Sequence, residues 1–228
     1  MAFEIKTSKW LNESQEGNFV FAPIGNVCNV QIFEELAVDT CAEMVGHLSQ
    51  IISQLPIRKP IFSASAKIVS PYDITPDTFI LNVAIDSPGG DILAYRAIAS
   101  MFALAKSRGA IVRTHNIGMA ASASSLLAVQ GTPGYRIMSE DASNFVHYGS
   151  AFVSGSRENE LEIATKNSKR IRDMLFEVYK KYTKLSQKEL EKYKTVENSG
   201  QLFAKTCLAK QLCDWILTTD GHLIGRGR

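Results

Sequence analysis

The sequence predicts an α/β fold with a mostly parallel sheet. The first observation is that strand-like apolar runs alternate with helix-like segments between residues 79 and 138, in the manner of βαβ crossovers. The second is that 228 residues, 45% of them hydrophobic, can bury a sizeable core. The third is that no Pro/Gly/Ser-rich linker divides the chain, so we expect residues 1–228 to form a single domain.

The first third of the chain predicts strands followed by a helix. Residues 18–33 indicate one or two strands, and residues 39–55 an amphipathic helix with Asp39 and Thr40 where an N-cap would lie. Pro56 and Pro60 then end the helix. The Pro-punctuated stretch 57–78 is expected to be a surface excursion.

The middle of the chain carries the alternation itself. It predicts strands at 79–85, 109–116, 136–138 and 143–147, and helices at 92–107 and 121–130.

One long helix is predicted over 156–182. Its acidic residues lie early and its basic residues late, which suits the helix dipole. Its apolar stripe with 3–4 spacing comprises Leu161, Ala164, Ser168, Ile171, Leu175, Val178 and Tyr182. Because such a helix is about 40 Å long, it either lies on its own sheet or protrudes and packs against another subunit.

Two motifs of small residues suggest chemistry. Ser87-Pro88-Gly89-Gly90 follows the apolar run 79–85, and Gly118-Met119-Ala120-Ala121-Ser122 precedes an apolar helix. Small residues allow backbone N–H groups to approach a substrate carbonyl closely, beside the serine hydroxyl. His147 ends a predicted strand 25 residues after Ser122, and histidine is the side chain suited to take the proton of a serine. These are the components of a serine hydrolase.

In this order and spacing, the motifs resemble those of the Clp protease proteolytic subunit family, ClpP. The resemblance is clear from Phe79 to Gly149, includes the segment Arg136–Ser139, and is fainter over Leu202–Leu217. It implies a ClpP/crotonase-like fold of repeated ββα units, in which 156–182 is a protruding handle helix.

The resemblance also implies site residues. Ser122 would be the nucleophile, His147 the base, and the N–H groups of Gly90 and Ala123 the oxyanion hole. The competing interpretations are that Ser122 is a helix N-cap, that Ser124 or Ser125 is the nucleophile, and that His147 is a structural histidine. The family supplies an aspartate as third triad member, but none lies near the matching position. We expect Asn198 to take this role, with Glu197 and Ser199 as alternatives.

The function implied by the resemblance is an ATP-independent serine endopeptidase in a homo-oligomer of stacked rings. An AAA+ unfoldase ATPase would deliver its protein or peptide substrates, because the chain has no GxxxxGK[ST] phosphate-binding motif. Two alternatives remain open. One is a catalytically silent ring subunit, motivated by the missing aspartate, and the other is a crotonase-like acyl-CoA enzyme.

Composition argues against other classes of protein. The net charge of +2 without a basic run gives no indication of nucleic-acid binding. The four cysteines are scattered, so neither a metal site nor a disulfide framework is expected, and no cofactor is predicted. No window of 18 apolar residues predicts a membrane span. We therefore expect a cytoplasmic protein.

Overall fold

The computed structural model describes residues 18–20, 23–56, 70–72, 74–147, 158–193 and 200–225. Its strands are β1 (Phe19–Val20), β2 (Val27–Ile32), β3 (Ile80–Ser87), β4 (Ile111–Ala121), β5 (Arg136–Ser139), β6 (Ser143–Val146), β7 (Gly200–Phe203), β8 (Trp215–Leu217) and β9 (Leu223–Gly225). Its helices are α1 (Val38–Gln54), α2 (Ile92–Ser107), α3 (Ala123–Val129), α4 (Glu158–Tyr182), α5 (Gln187–Lys192) and α6 (Ala204–Ala209).

The strands form one sheet in the order β1-β2-β3-β4-β5-β8-β9, and β6 and β7 branch from β4. Pairing is parallel from β2 through β8 and between β4 and β6. It is antiparallel at the margins, between β1 and β2, β6 and β7, and β8 and β9. The predicted α/β class with a mostly parallel sheet is confirmed.

The core forms where helices cover the central strands. Leu81 and Ile85 of β3 are completely buried, as are Leu48 of α1 and Ile98 and Phe102 of α2. Their burial is expected, since parallel strands in α/β proteins are apolar on both faces.

Strand β4 is longer than the sequence suggests. The predicted strand ends at residue 116 and the predicted helix begins at 121, but β4 continues to Ala121, pairs with β6 from Met119 onward, and α3 begins only at Ala123. A register shift between Ile85 and Ser87 of β3 accompanies this extension. The prediction was wrong because these small residues, although poor strand formers, complete ladder hydrogen bonds with β6.

Helix α4 has two different halves. Most side chains from 160 to 170 are exposed, Leu161 and Ile163 among them, whereas Phe176 and Tyr179 are buried. These two buried aromatic residues lie outside the predicted stripe. The C-terminal half therefore anchors the helix, and the first described turns have little cover from their own chain.

Only parts of the predicted excursion 57–78 are described, namely 70–72 and 74–78. Tyr72 is exposed there, with its ring 5.0 Å from the Arg113 guanidinium, while Thr78 is buried. Among the described residues, no helix is long and apolar enough to cross a bilayer.

Candidate active site

Ser122 lies at a sharp turn between β4 and α3. Its backbone has φ 54° and ψ −123°, and Gln211 is the only other non-glycine residue with positive φ in the described part of the chain. Backbone strain of this kind costs about 1–3 kcal/mol and is concentrated at functional sites. A serine on a strained strand–turn–helix junction is also the geometry of the nucleophile elbow in hydrolases.

The glycine turn after β3 packs directly against this elbow. A Cβ on Gly89 would overlap the carbonyl oxygen of Ala121 and lie 2.8 Å from the Ala123 nitrogen. Gly89 and Gly90 also have φ of 92° and 142°, which side-chain-bearing residues rarely adopt. Both glycines are therefore required for this close approach.

Hydrogen bonds hold the glycine turn in place. The Ser87 hydroxyl donates to the Glu34 carbonyl oxygen at 2.6 Å and accepts from the Gly89 N–H at 3.1 Å. On either side of Gly90, Leu36 donates to the Gly89 carbonyl at 2.7 Å and accepts from the Asp91 N–H at 2.6 Å. The turn is thus preorganised without any ligand.

The two predicted oxyanion donors are adjacent in sequence to the elbow and to the glycine that packs on it, because Ala123 follows Ser122 and Gly90 follows Gly89. Ala123 is the first residue of α3, where a helix leaves its N–H groups without partners. Within the described ranges, neither the Ala123 N–H nor the Gly90 N–H donates a hydrogen bond to the protein. Two such donors beside a hydroxyl can stabilise an oxygen that gains negative charge.

The side chains of the three neighbouring serines differ in their surroundings. Ser122 is half-buried, and its side chain makes no capping hydrogen bond to α3. Ser124 and Ser125 are completely buried. Ser124 Oγ lies 2.7 Å and 2.8 Å from the carbonyl oxygens of Ser87 and Ala121, which share its one hydrogen, and Ser125 bonds to Asn144 and Tyr179.

His147 immediately follows β6, at the same end of the sheet as Ser122. Ala121 pairs with Phe145, and the Ser122 N–H donates to the Phe145 carbonyl oxygen at 3.1 Å. Strands β3, β4 and β6 are parallel to one another and end at Ser87, Ala121 and Val146. This is the edge at which α/β sheets bind ligands.

The His147 ring is half-buried and packs edge-on against Phe145, with centroids 6.0 Å apart. Burial lowers the pKa of His147 below its ordinary value of 6.5, so the ring is mainly neutral at pH 7.

Asn198, Glu197 and Ser199 all lie outside the described residues. The chain is described again at Gly200, which pairs with Val146, the neighbour of His147. A Cβ on Gly200 would overlap the Tyr193 ring, so the two residues flanking segment 194–199 are in contact.

No group of three or more His, Cys, Asp or Glu side chains within the described ranges could hold a metal ion. Sequence reasoning did not identify the contacts that support the site, namely Ser87 to Glu34, Ser124 to Ser87, and Ser125 to Asn144 and Tyr179. Ser87 was visible in its motif, but its partner is 53 residues away.

Comparison with known proteins places these motifs in a family. Residues 66–220 match the family model described as Clp protease, a span that includes all five predicted site residues. The chain is 31% identical over 139 residues to ATP-dependent Clp protease proteolytic subunit 2 of Streptomyces coelicolor, covering 61% of this chain and 62% of that protein.

Two further relatives give similar figures. Identity is 31% over 140 residues to ATP-dependent Clp protease proteolytic subunit 4 of Streptomyces avermitilis, covering 61% of this chain and 59% of that protein. Identity is 34% over 110 residues to the ATP-dependent Clp protease proteolytic subunit of Deinococcus radiodurans, covering 48% of this chain and 52% of that protein. The match thus spans between half and two thirds of these relatives.

Proposed function

The chain belongs to the Clp protease family, and on that premise we propose that it is a serine endopeptidase subunit with Ser122 as nucleophile. The observation that carries the proposal is the strained Ser122 elbow, with the Gly89–Gly90 turn packed on its backbone. Strain at a serine that makes no capping bond has no evident structural benefit, whereas it is expected of a nucleophile. The buried, bonded hydroxyls of Ser124 and Ser125 argue against either as the nucleophile.

In the proposed reaction, His147 takes the proton of Ser122 Oγ as that oxygen attacks the peptide carbonyl. The Gly90 and Ala123 N–H groups stabilise the negative oxygen that forms. His147 then protonates the leaving amine, and water releases the acyl group by the same steps. Loss of one oxyanion donor typically costs on the order of 100- to 1000-fold in rate.

Asn198 is proposed to orient His147. It lies two residues before Gly200, so it is within about 8 Å of Gly200 along the chain, and Gly200 pairs with Val146. An asparagine side chain can accept the imidazole N–H, as in some cysteine hydrolases. Glu197 and Ser199, three residues and one residue before Gly200, are the alternatives, so alanine variants at all three positions, compared by peptide cleavage, would decide between them.

The assembly is proposed from the family. We expect one domain over 1–228, a homo-oligomer of stacked rings, an AAA+ unfoldase ATPase partner, protein or peptide substrates and a cytoplasmic location. The first described turns of α4 have little cover from their own chain, and Leu161 and Ile163 are exposed there, which supports the role of a handle helix.

Labelling with a fluorophosphonate probe followed by peptide mapping tests the nucleophile. We expect the probe on Ser122 alone, with complete loss in Ser122→Ala and no change in Ser100→Ala, a matched control at an exposed helical serine. Probe attached to Ser124 or Ser125 would contradict the assignment.

A catalytically silent ring subunit is the second candidate. The observation that favours it is that the sequence has no aspartate between Lys184 and Cys213, the region in which the family carries its third triad member. Asparagine can orient an imidazole in place of aspartate, and for this reason we prefer the active enzyme. A chain that assembles into rings yet neither labels nor cleaves peptides would support the silent subunit.

A further inference from the structure

Ser125, Asn144 and Tyr179 form a hydrogen-bonded chain inside the apolar core. The Tyr179 hydroxyl lies 2.8 Å from Ser125 Oγ, and the Ser125 hydroxyl donates to Asn144 Oδ1. Ser125 is 0% exposed, Asn144 is 2% exposed and Tyr179 is 1% exposed. Buried polar groups are costly unless each keeps its partner, so this chain strongly favours one relative placement of the three residues.

The direction of the hydrogen bonds among these three residues follows from counting protons. A serine hydroxyl has one hydrogen, and that of Ser125 goes to Asn144, so the Tyr179 O–H must donate to Ser125. Burial raises the pKa of Tyr179, which keeps its hydroxyl protonated as a donor requires. The order is therefore Tyr179 to Ser125 to Asn144.

Each member lies on an element that leads to the site. Ser125 is on α3, three residues after Ser122, and Asn144 is on β6, three residues before His147. Tyr179 is in the buried half of α4. These hydrogen bonds thus connect α3, which follows Ser122, with β6, which precedes His147, and with the long helix α4.

We propose that Tyr179, Ser125 and Asn144 are positioning residues that set the spacing between Ser122 and His147 and make it depend on the packing of α4. The inference rests on the proposed function, since it assumes the roles given there to Ser122 and His147. A base must come within about 2.6–3.2 Å of its proton donor, and a misplacement of about 1 Å costs on the order of 100-fold.

Tyr179→Phe and Ser125→Ala test the proposal, because each removes one hydroxyl and adds no atoms. Tyr95→Phe is the matched control: Tyr95 is also buried, and its hydroxyl accepts from Gln130 Nε2 at 2.7 Å, but this contact does not reach β6. The measurements are kcat and KM on a fluorogenic peptide and the rate of fluorophosphonate labelling.

We expect Tyr179→Phe and Ser125→Ala to lower kcat and the labelling rate by about 10-fold or more, with KM changed by less than about twofold. The control should stay within about twofold of wild type on every measure. The double variant should lose about as much as one single variant, because both interrupt the same chain.

A role in stability alone would lower the denaturant midpoint and leave kcat of the folded protein unchanged. An active wild type with unchanged kcat and labelling in Tyr179→Phe would therefore overturn the positioning network and leave the proposed function standing. A wild type that neither labels nor cleaves would overturn both. If circular dichroism shows that Tyr179→Phe does not fold, Ser125→Ala decides by the same criteria.

Discussion

At the scale of single residues, the strained backbone of Ser122 affects stability, whereas its hydroxyl is the group proposed for catalysis, so the two can be tested separately. Its φ of 54° and ψ of −123° are adopted readily by glycine and at a cost by any residue with a Cβ. Alanine retains that Cβ, so Ser122→Ala removes the hydroxyl while keeping the strain. Comparison of alanine and glycine at this position therefore isolates the strain.

We predict that Ser122→Gly is more stable than Ser122→Ala by about 1 kcal/mol, since relief of about 1–3 kcal/mol of strain exceeds the added chain entropy of glycine, about 0.5–1 kcal/mol. Both variants should be inactive. Urea unfolding of the two measures the difference. Equal or lower stability of the glycine variant would mean that the elbow stores no strain.

The pH dependence of cleavage should report the surroundings of His147. The neutral ring is the base, so activity falls as pH drops through its pKa, which burial places below 6.5. We predict an acidic limb of kcat/KM with its midpoint below pH 6.5. Phe145→Ala, which removes the ring packed on His147, should move that midpoint upward, whereas Phe145→Leu should move it less. A midpoint above 6.5 in wild type would contradict the burial argument.

At the scale of elements, the two halves of α4 differ in how far their own chain covers them. Leu175, Phe176 and Tyr179 pack on the core and fix the helix to the chain. Ile163 is 58% exposed in the other half, where burial requires another molecule. Substitutions in the two halves should therefore have separable effects on assembly and on stability.

We predict that Ile163→Glu dissociates the proposed oligomer while changing the free energy of unfolding by less than about 0.5 kcal/mol, as usual for an exposed site. Leu175→Glu should instead destabilise the chain itself, because it places a charge against the core. Thr165→Glu, at an exposed polar position in the same half, is the control. Sedimentation and urea unfolding distinguish these effects, and a monomeric wild type would remove the basis of the prediction.

At the scale of the whole molecule, buried polar and charged side chains connect neighbouring strands of the sheet. Arg136 of β5 and Asp214, next to β8, form an ion pair at 2.7 Å with both side chains buried. Asp214 also accepts from the Gly134 N–H at 2.7 Å, which joins the end of the chain to its middle. On the neighbouring strand, β4, the pKa of the His115 side chain is lowered to about 4. Burial is the larger cause, and the positive charge of Arg113 is the smaller one.

His115 should therefore contribute to acid unfolding. Its folded pKa of about 4 lies below the ordinary 6.5, so the unfolded chain binds the extra proton first, and stability falls as pH drops from 6.5 toward 4. The loss approaches about 3 kcal/mol at the acidic end. We predict that His115→Gln, which can retain the hydrogen bond to Ser139, loses less stability over this range. If the variant and the wild type lost the same unfolding free energy between pH 6.5 and pH 4, this prediction would be contradicted.

The sequence by itself determined the helices α1, α2 and α4 within a few residues, the α/β class and the family, because periodicity and short motifs are local properties of the chain. The SPGG turn and the AAS segment were likewise legible, since a close backbone approach requires small residues wherever it occurs. The strands β7, β8 and β9 were not predicted, because they are short and, unlike the equally short β5 and β6, do not lie in or next to the predicted alternation of strands and helices.

Only the tertiary structure decided how those motifs meet. It placed Gly89 against the Ser122 elbow, ended β6 beside it, and buried Ser124 and Ser125 with partners. Tyr179 and Ser125 are 54 residues apart, and nothing in either local sequence marks the other as its partner. Long-range hydrogen bonds of this kind arise from packing, because which polar groups must be satisfied depends on which are buried together.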